Sequence, residues 1–359
     1  MGSDGDSSAH GQSAFDSMMS TTVPSPDDRG TNGHVPASRR LSSRLNPSDV
    51  LFRWIARAGG TVVLVIMLLI GLFLAFRAAQ ALKAAGWSFL TTQSWNPGAG
   101  GFGIAAVMIG TFLIAGVAIV VAVPLSFGTA LYISEYSPPG IQRLLVSVVD
   151  LMAAVPSVIF GLWGFYLLQW KVSGVALWFA TWFSWIPAFQ VSGVSRNNPL
   201  NSGTSFTSSS FDAGLVVALM ITPIISSVMR EAFSQAPAGE REGALALGAT
   251  RWGMIRAVVL PFGRGAMIGG TMLGLGRALG ETLAVTMIIS AVYAIQPHIL
   301  QQGTSSISSL IALHYGETTP FGISALMAAG LSLFAITLIV NFIAAQIVAR
   351  SRSGAESEG

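Results

Sequence analysis

Two ionisable residues, Arg277 and Glu281, lie inside the otherwise apolar run from Ala266 to about Ser290. A charge at mid-membrane costs about 2.5–3.5 kcal/mol on insertion scales, so such a group faces a bundle interior or a water-filled path. On a continuous helix their i, i+4 spacing puts both side chains on one face, within reach of each other. Two chemistries are open to the pair. The charges neutralise one another and fix helix packing, or Arg277 turns its fork of donors toward an oxyanion while Glu281 holds the guanidinium when the path is empty. The small residues Gly274, Gly276, Ala278 and Gly280 allow backbones to approach closely beside them.

Other chemistries lack their residues. With no cysteine, the chain has no disulfide, thiol nucleophile or Cys-ligated metal. His10 and His34 fall in a polar leader, and His298 and His314 match no HExxH helix, so neither a metal nor another cofactor is expected. Lys83 and Lys171 follow no glycine-rich phosphate loop, so any ATP hydrolysis coupled to this chain comes from another subunit. A net charge of +3 is too small to point to nucleic acid. A membrane enzyme would need a nucleophile, a metal cluster or paired carboxylates facing a cavity, and the pattern supplies no such catalytic set.

The elements that must hold Arg277 and Glu281 follow from composition. Of 359 residues, 52% are apolar or aromatic and only 10% are charged, far from the roughly 25% charge of soluble domains. The chain is an all-α polytopic membrane protein, because helices satisfy their own backbone groups in lipid. Residues 1–50, rich in Ser, Gly, Asp and Pro, are expected to form a disordered cytoplasmic tail. At about 20 apolar residues per crossing, six spans are predicted: Trp54–Phe76, about Ile104 to before Pro138 with Pro124 inside, Leu151–Leu168, Gly214–Val228, Ala266 to about Ser290, and Phe321–Val348. Val175–Phe189 carries Trp178, Trp182 and Trp185 on one helix face and is predicted to lie in the membrane interface. This pattern leaves only Arg77, Lys83, Lys171 and Arg196 outside, so the positive-inside rule places both termini in the cytoplasm. The organisation expected is a tail over 1–50, a first helix and outer loop over 51–102, a core over 103–350, and a second tail over 351–359. Pro156, Asp150 and Arg143, near the cytoplasmic mouth of the third span, are gate candidates. His314, Tyr315 and Glu317 form a polar patch in the last outer loop.

The longest cytoplasmic loop, Arg230–Arg264, reads as two short helices around a glycine. Pro237 suits a first helical turn, Glu240 and Glu242 suit a helix N-terminus, Gly248 suits a left-handed cap, and a second segment runs to Leu260-Pro261. Such a knob fits a groove in a partner. Its residues Glu242-Gly243-Ala244, Gly248 and Val258-Val259-Leu260-Pro261 resemble the EAA motif of ABC-importer permeases, with Gly243 for alanine and Val258 for isoleucine. A likeness over roughly Leu51–Arg350 is to PstC-type permeases of phosphate importers. It rests on Phe89-Leu90-Thr91, Trp95-Asn96-Pro97, Ser134-Glu135-Tyr136-Ser137-Pro138-Pro139, the run Val155–Gly164 and the run Gly276–Met287.

The resemblance implies the MetI-like type I permease fold in a bacterial plasma membrane. It implies phosphate as substrate, with Arg277, Glu281, Thr282 and Ser157 along the path. A loop carrying Glu240, Glu242, Ala244, Gly248, Ala249, Arg251, Leu260 and Pro261 would dock on an ATPase. The partners implied are a PstA-like second permease supplying a further arginine, two ATPase subunits and an extracellular binding protein. A self-sufficient carrier or channel would show inverted repeats or a recognisable filter, and neither is evident. Sulfate and molybdate remain alternatives to phosphate on the residues alone.

Overall fold

A computed structural model describes residues 47–192, 203–316 and 319–353. The expected disordered leader therefore lies almost wholly outside the described residues, as do Glu317 and much of the 191–210 loop. The chain divides into two compact units, Met1–Thr61 and Val62–Gly359. Of the first unit, the described part is the opening of the helix Pro47–Ala85.

Among the described residues, six helices are long and apolar enough to cross a membrane: Val50–Ala85, Ala105–Tyr136, Ser157–Trp182, Ser210–Ser234, Arg251–Gly280 and Pro320–Ile347. The number agrees with expectation, and the third and fifth spans depart most from the expected bounds. The third span begins at Ser157 rather than Leu151, because Pro156 has no N–H to donate and forces Val155 out of helical geometry. Residues Pro139–Ala154 form a separate helix with no buried residue. The third span then runs on through a π-helical turn, Gly164–Leu168, to Trp182. Trp178 and Trp182 are thus the end of a crossing, not a separate interfacial helix.

The fifth span also differs. It ends at Gly280, Glu281 is extended with ψ 126°, and a short helix Leu283–Ile288 follows. A carboxylate explains the break: Glu281 Oε1 accepts from the Ala284 amide at 3.2 Å, capping the next helix instead of prolonging the last.

The fourth span is the most buried of the six. A capping box at Ser209 and Asp212 starts it, and it packs along the second span through Ile114, Ala118, Val217 and Ile221. Ser126 Oγ donates to the Thr222 carbonyl at 3.0 Å across that contact. The fifth span lies on the fourth through small residues: a Cβ on Gly274 would run into the Ile225 side chain, so glycine at this position permits the close approach. Between the first and second spans, the strands Trp95–Asn96 and Gly101–Phe102 pair as an antiparallel hairpin. They pack with Phe89, Phe321 and the helix Ile307–His314 in a second apolar cluster.

Candidate functional site

Arg277 occupies the last turn of Leu260–Gly280 and is exposed. It forms no hydrogen bond or ion pair among the described residues. The pairing with Glu281 expected from their spacing is not formed, because the helix that would align them stops between them. Glu281 is instead buried: its carboxylate caps Leu283–Ile288, and its carbonyl accepts from Ser308 Oγ at 2.8 Å. Thr282 belongs to the same turn, its Oγ1 donating to the Gly280 carbonyl at 3.1 Å. The helix end favours a cation in this last turn, because the aligned peptide dipoles leave partial negative charge there.

Arg277 faces a recess of about 500 Å³ between the fourth, fifth and sixth spans. Its other walls are Ile224, Met272, Leu273, Gly276, Thr337 and Asn341. Ser157 and Pro156 do not line it. They stand at the start of the third span, which packs its Gly161 against Ala284 of the short helix after the break. Arg143 and Asp150 are both exposed on Pro139–Ala154 and form no ion pair among the described residues. His314 packs edge-on to Trp95 and Tyr293, with Nδ1 3.1 Å from the Leu310 carbonyl. Tyr315 beside it is exposed.

Between the fourth and fifth spans, Pro237 precedes a helix, Ala238–Ala246, that carries Glu240, Glu242 and Ala244. Gly248 adopts φ +87°. Its amide donates to Leu245 and the Ala249 amide to Ala244, the paired bonds of a Schellman cap. Thr250 then caps Arg251–Met254 by accepting from the Gly253 amide. From Arg251 the chain continues through a π-helical turn, Ile255–Val259, into the fifth span. Leu260 and Pro261 therefore open the helix Leu260–Gly280 and do not close a second loop helix, as the sequence had implied. The hairpin projects Glu240, Glu242, Arg251 and Trp252, with Leu247 at 91% exposure at its tip.

An ion pair fixes this hairpin. Arg241 Nη1 lies 3.2 Å from both carboxylate oxygens of Glu135, and Nη2 donates to the Phe233 carbonyl. The Glu135 side chain is only 4% exposed, and its Oε1 has no hydrogen-bond partner. Next to it, the Arg251 guanidinium sits 5.5 Å from the Tyr136 ring centroid, within cation–π range. Both anchors come from the π-helical turn Tyr132–Tyr136 that ends the second span. Motif reading passed over Glu135 and Arg241 as functional positions, although Glu135 is the one charged residue between Lys83 and Arg143. Asn341, a carboxamide in an apolar span, was passed over in the same way.

Residues 122–353 match the family described as binding-protein-dependent transport system inner membrane component. The phosphate transport system permease protein PstC of Pasteurella multocida is 36% identical over 315 residues, covering 86% of this chain and 95% of that protein. PstC 2 of Mycobacterium tuberculosis is 37% identical over 308 residues, covering 85% and 93%. Among solved structures, a chain of a bacterial alginate ABC transporter superposes with a TM-score of 0.55 at 17% identity, over 84% of this chain and 96% of that one. At that identity the likeness is one of fold.

Proposed function

Because this chain belongs to the binding-protein-dependent inner-membrane permease family, and within it to the PstC-type permeases, we propose that it is one of two permease subunits of an ATP-driven importer of inorganic phosphate. A PstA-like permease completes the path, two ATPase subunits dock on the 237–261 hairpin, and an extracellular binding protein delivers phosphate. In this reading the chain lies in a bacterial plasma membrane with both termini cytoplasmic. It performs no covalent chemistry.

The observation that carries this reading is an exposed guanidinium inside a membrane span, unpaired among the described residues and facing a recess. A charge held at membrane depth without a counter-charge is costly unless it faces a water-filled path, which suits a site for an anion that comes and goes. Phosphate oxygens match the planar donor fork of arginine. Glu281 serves differently from a counter-ion: by capping the next helix it ends the fifth span one turn after Arg277. That keeps the guanidinium at an open helix end. The exposed, glycine-capped hairpin supports docking on a soluble motor, and ATPase closure would reset the path by moving the hairpin and the fifth span that continues from it.

Arg277→Leu is expected to abolish phosphate uptake in cells while the purified complex keeps all its subunits. A complex that falls apart would show that the arginine serves packing, and uptake at the wild-type rate would remove it from the path.

A further inference from the structure

The recess beside Arg277 holds a second polar group, and it comes from the sixth span. Five polar side chains punctuate the sixth span: Ser324, Ser332, Thr337, Asn341 and Gln346. Three are satisfied, Ser324 by the first span and Ser332 and Thr337 by their own helix. Ser324 Oγ donates to the Arg77 carbonyl at 2.7 Å, Ser332 Oγ to Ala328 at 2.9 Å, and Thr337 Oγ1 to Leu333 and Phe334 at 2.9 Å each. Asn341 has no hydrogen-bond partner among the described residues, although its carboxamide lines the recess. Its Oδ1 lies 3.5 Å from the place a Cβ on Gly276 would take, next to Arg277 in sequence. Asn341 is exposed on the isolated chain, and at membrane depth an amide left without a partner is costly. Two such groups on different helices, both walls of one recess, point to a ligand that satisfies both.

Their chemistries are complementary. Arginine has donors only and stays charged, whereas an asparagine amide both donates and accepts. Phosphate near neutral pH is a mono- or dianion that still carries at least one P–OH proton. Sulfate carries none. Arg277 alone cannot separate the two anions, because both present similar tetrahedral oxygens.

We propose that Asn341 is a specificity-determining residue of the path: its Oδ1 accepts a hydrogen bond from a P–OH group while Arg277 neutralises the oxyanion. Sulfate at the same place brings only acceptors toward the amide oxygen, which is then left unpaired or must rotate away. Thr337, one turn earlier on the same face, has its hydroxyl committed to its own helix and contributes shape. This inference rests on the reading of Arg277 as part of the path.

The test is calorimetric titration of the assembled transporter in lipid nanodiscs, without the binding protein or ATP, using inorganic phosphate and then sulfate. Omitting the binding protein removes its own selectivity from the measurement. The wild-type complex should prefer phosphate. In Asn341→Leu, a residue the apolar span accepts readily, phosphate affinity should fall about tenfold, the scale of one lost hydrogen bond, with sulfate affinity unchanged. Asn341→Asp keeps an acceptor but adds a charge, so its phosphate binding should weaken from pH 6 to pH 8 more steeply than in wild type. An unchanged phosphate-to-sulfate ratio in Asn341→Leu, or a pH profile of Asn341→Asp like the wild type's, would overturn the role of Asn341 alone. Arg277→Leu, run in parallel, should lose both anions. If it binds them as wild type does, or if the wild-type complex binds neither, the Arg277 path fails and this proposal with it.

Discussion

Arg277 was legible at the residue scale because a charge in an apolar run is conspicuous whatever surrounds it. Its partner was misread for a physical reason: the i, i+4 rule presumes one helix, and Glu281 uses its carboxylate to start another. The pair that does form, Glu135 with Arg241, joins positions 106 residues apart, a separation that no local spacing rule reaches. Glu135 is almost fully buried while Arg241 is about a fifth exposed and also holds the Phe233 carbonyl. Breaking such a pair leaves a charge uncompensated, and the remaining bond and partial solvent access reduce the loss from the buried-pair range to about 1–3 kcal/mol. Glu135→Gln should therefore lower the unfolding midpoint of the purified complex. It should also raise ATP hydrolysed per phosphate imported, since the loop helix loses its tie to the second span. Adding Arg241→Gln should restore part of the midpoint by removing the stranded charge; a double variant less stable than either single would mean that the residues act separately.

At the scale of elements, hydropathy found the helices but not their breaks. The apolar run through Leu151–Leu168 gives no sign in its average that Pro156 divides it, yet proline geometry shifts the third span toward Trp182. Local rules succeeded where the signal was local. Gly248 was expected to cap a helix in the left-handed region, and it does so at φ +87° with both Schellman bonds made. A side chain there costs about 1–2 kcal/mol in backbone strain and would re-aim the hairpin carrying Glu242. Gly248→Trp and Glu242→Lys should each leave the chain in the membrane while reducing the ATPase that co-purifies with it and reducing uptake. Normal uptake in both variants would dismiss the hairpin as the docking element.

At the scale of the whole molecule, six crossings followed from composition, but their arrangement did not, since it depends on which helix offers the small residues that let another approach, as Gly274 does for Ile225. The exposed surface is largely apolar, including every residue from Val62 to Ile70, which suits lipid and neighbouring membrane subunits rather than water. No P-loop lysine is present to hydrolyse ATP. In the proposed importer, energy would enter through the hairpin and reach Arg277 along the fifth span, which runs unbroken from Arg251 to Gly280. If that helix transmits the stroke, ATPase activity of the lipid-reconstituted complex should rise when phosphate-loaded binding protein is added. Arg277→Leu should leave the basal rate intact and change the stimulated one, because the helix still moves while the anion finds no ligand at its end. Equal stimulation in wild type and variant would separate the motor from the site, and a purified chain with no associated ATPase would return the protein to the class of self-sufficient carriers.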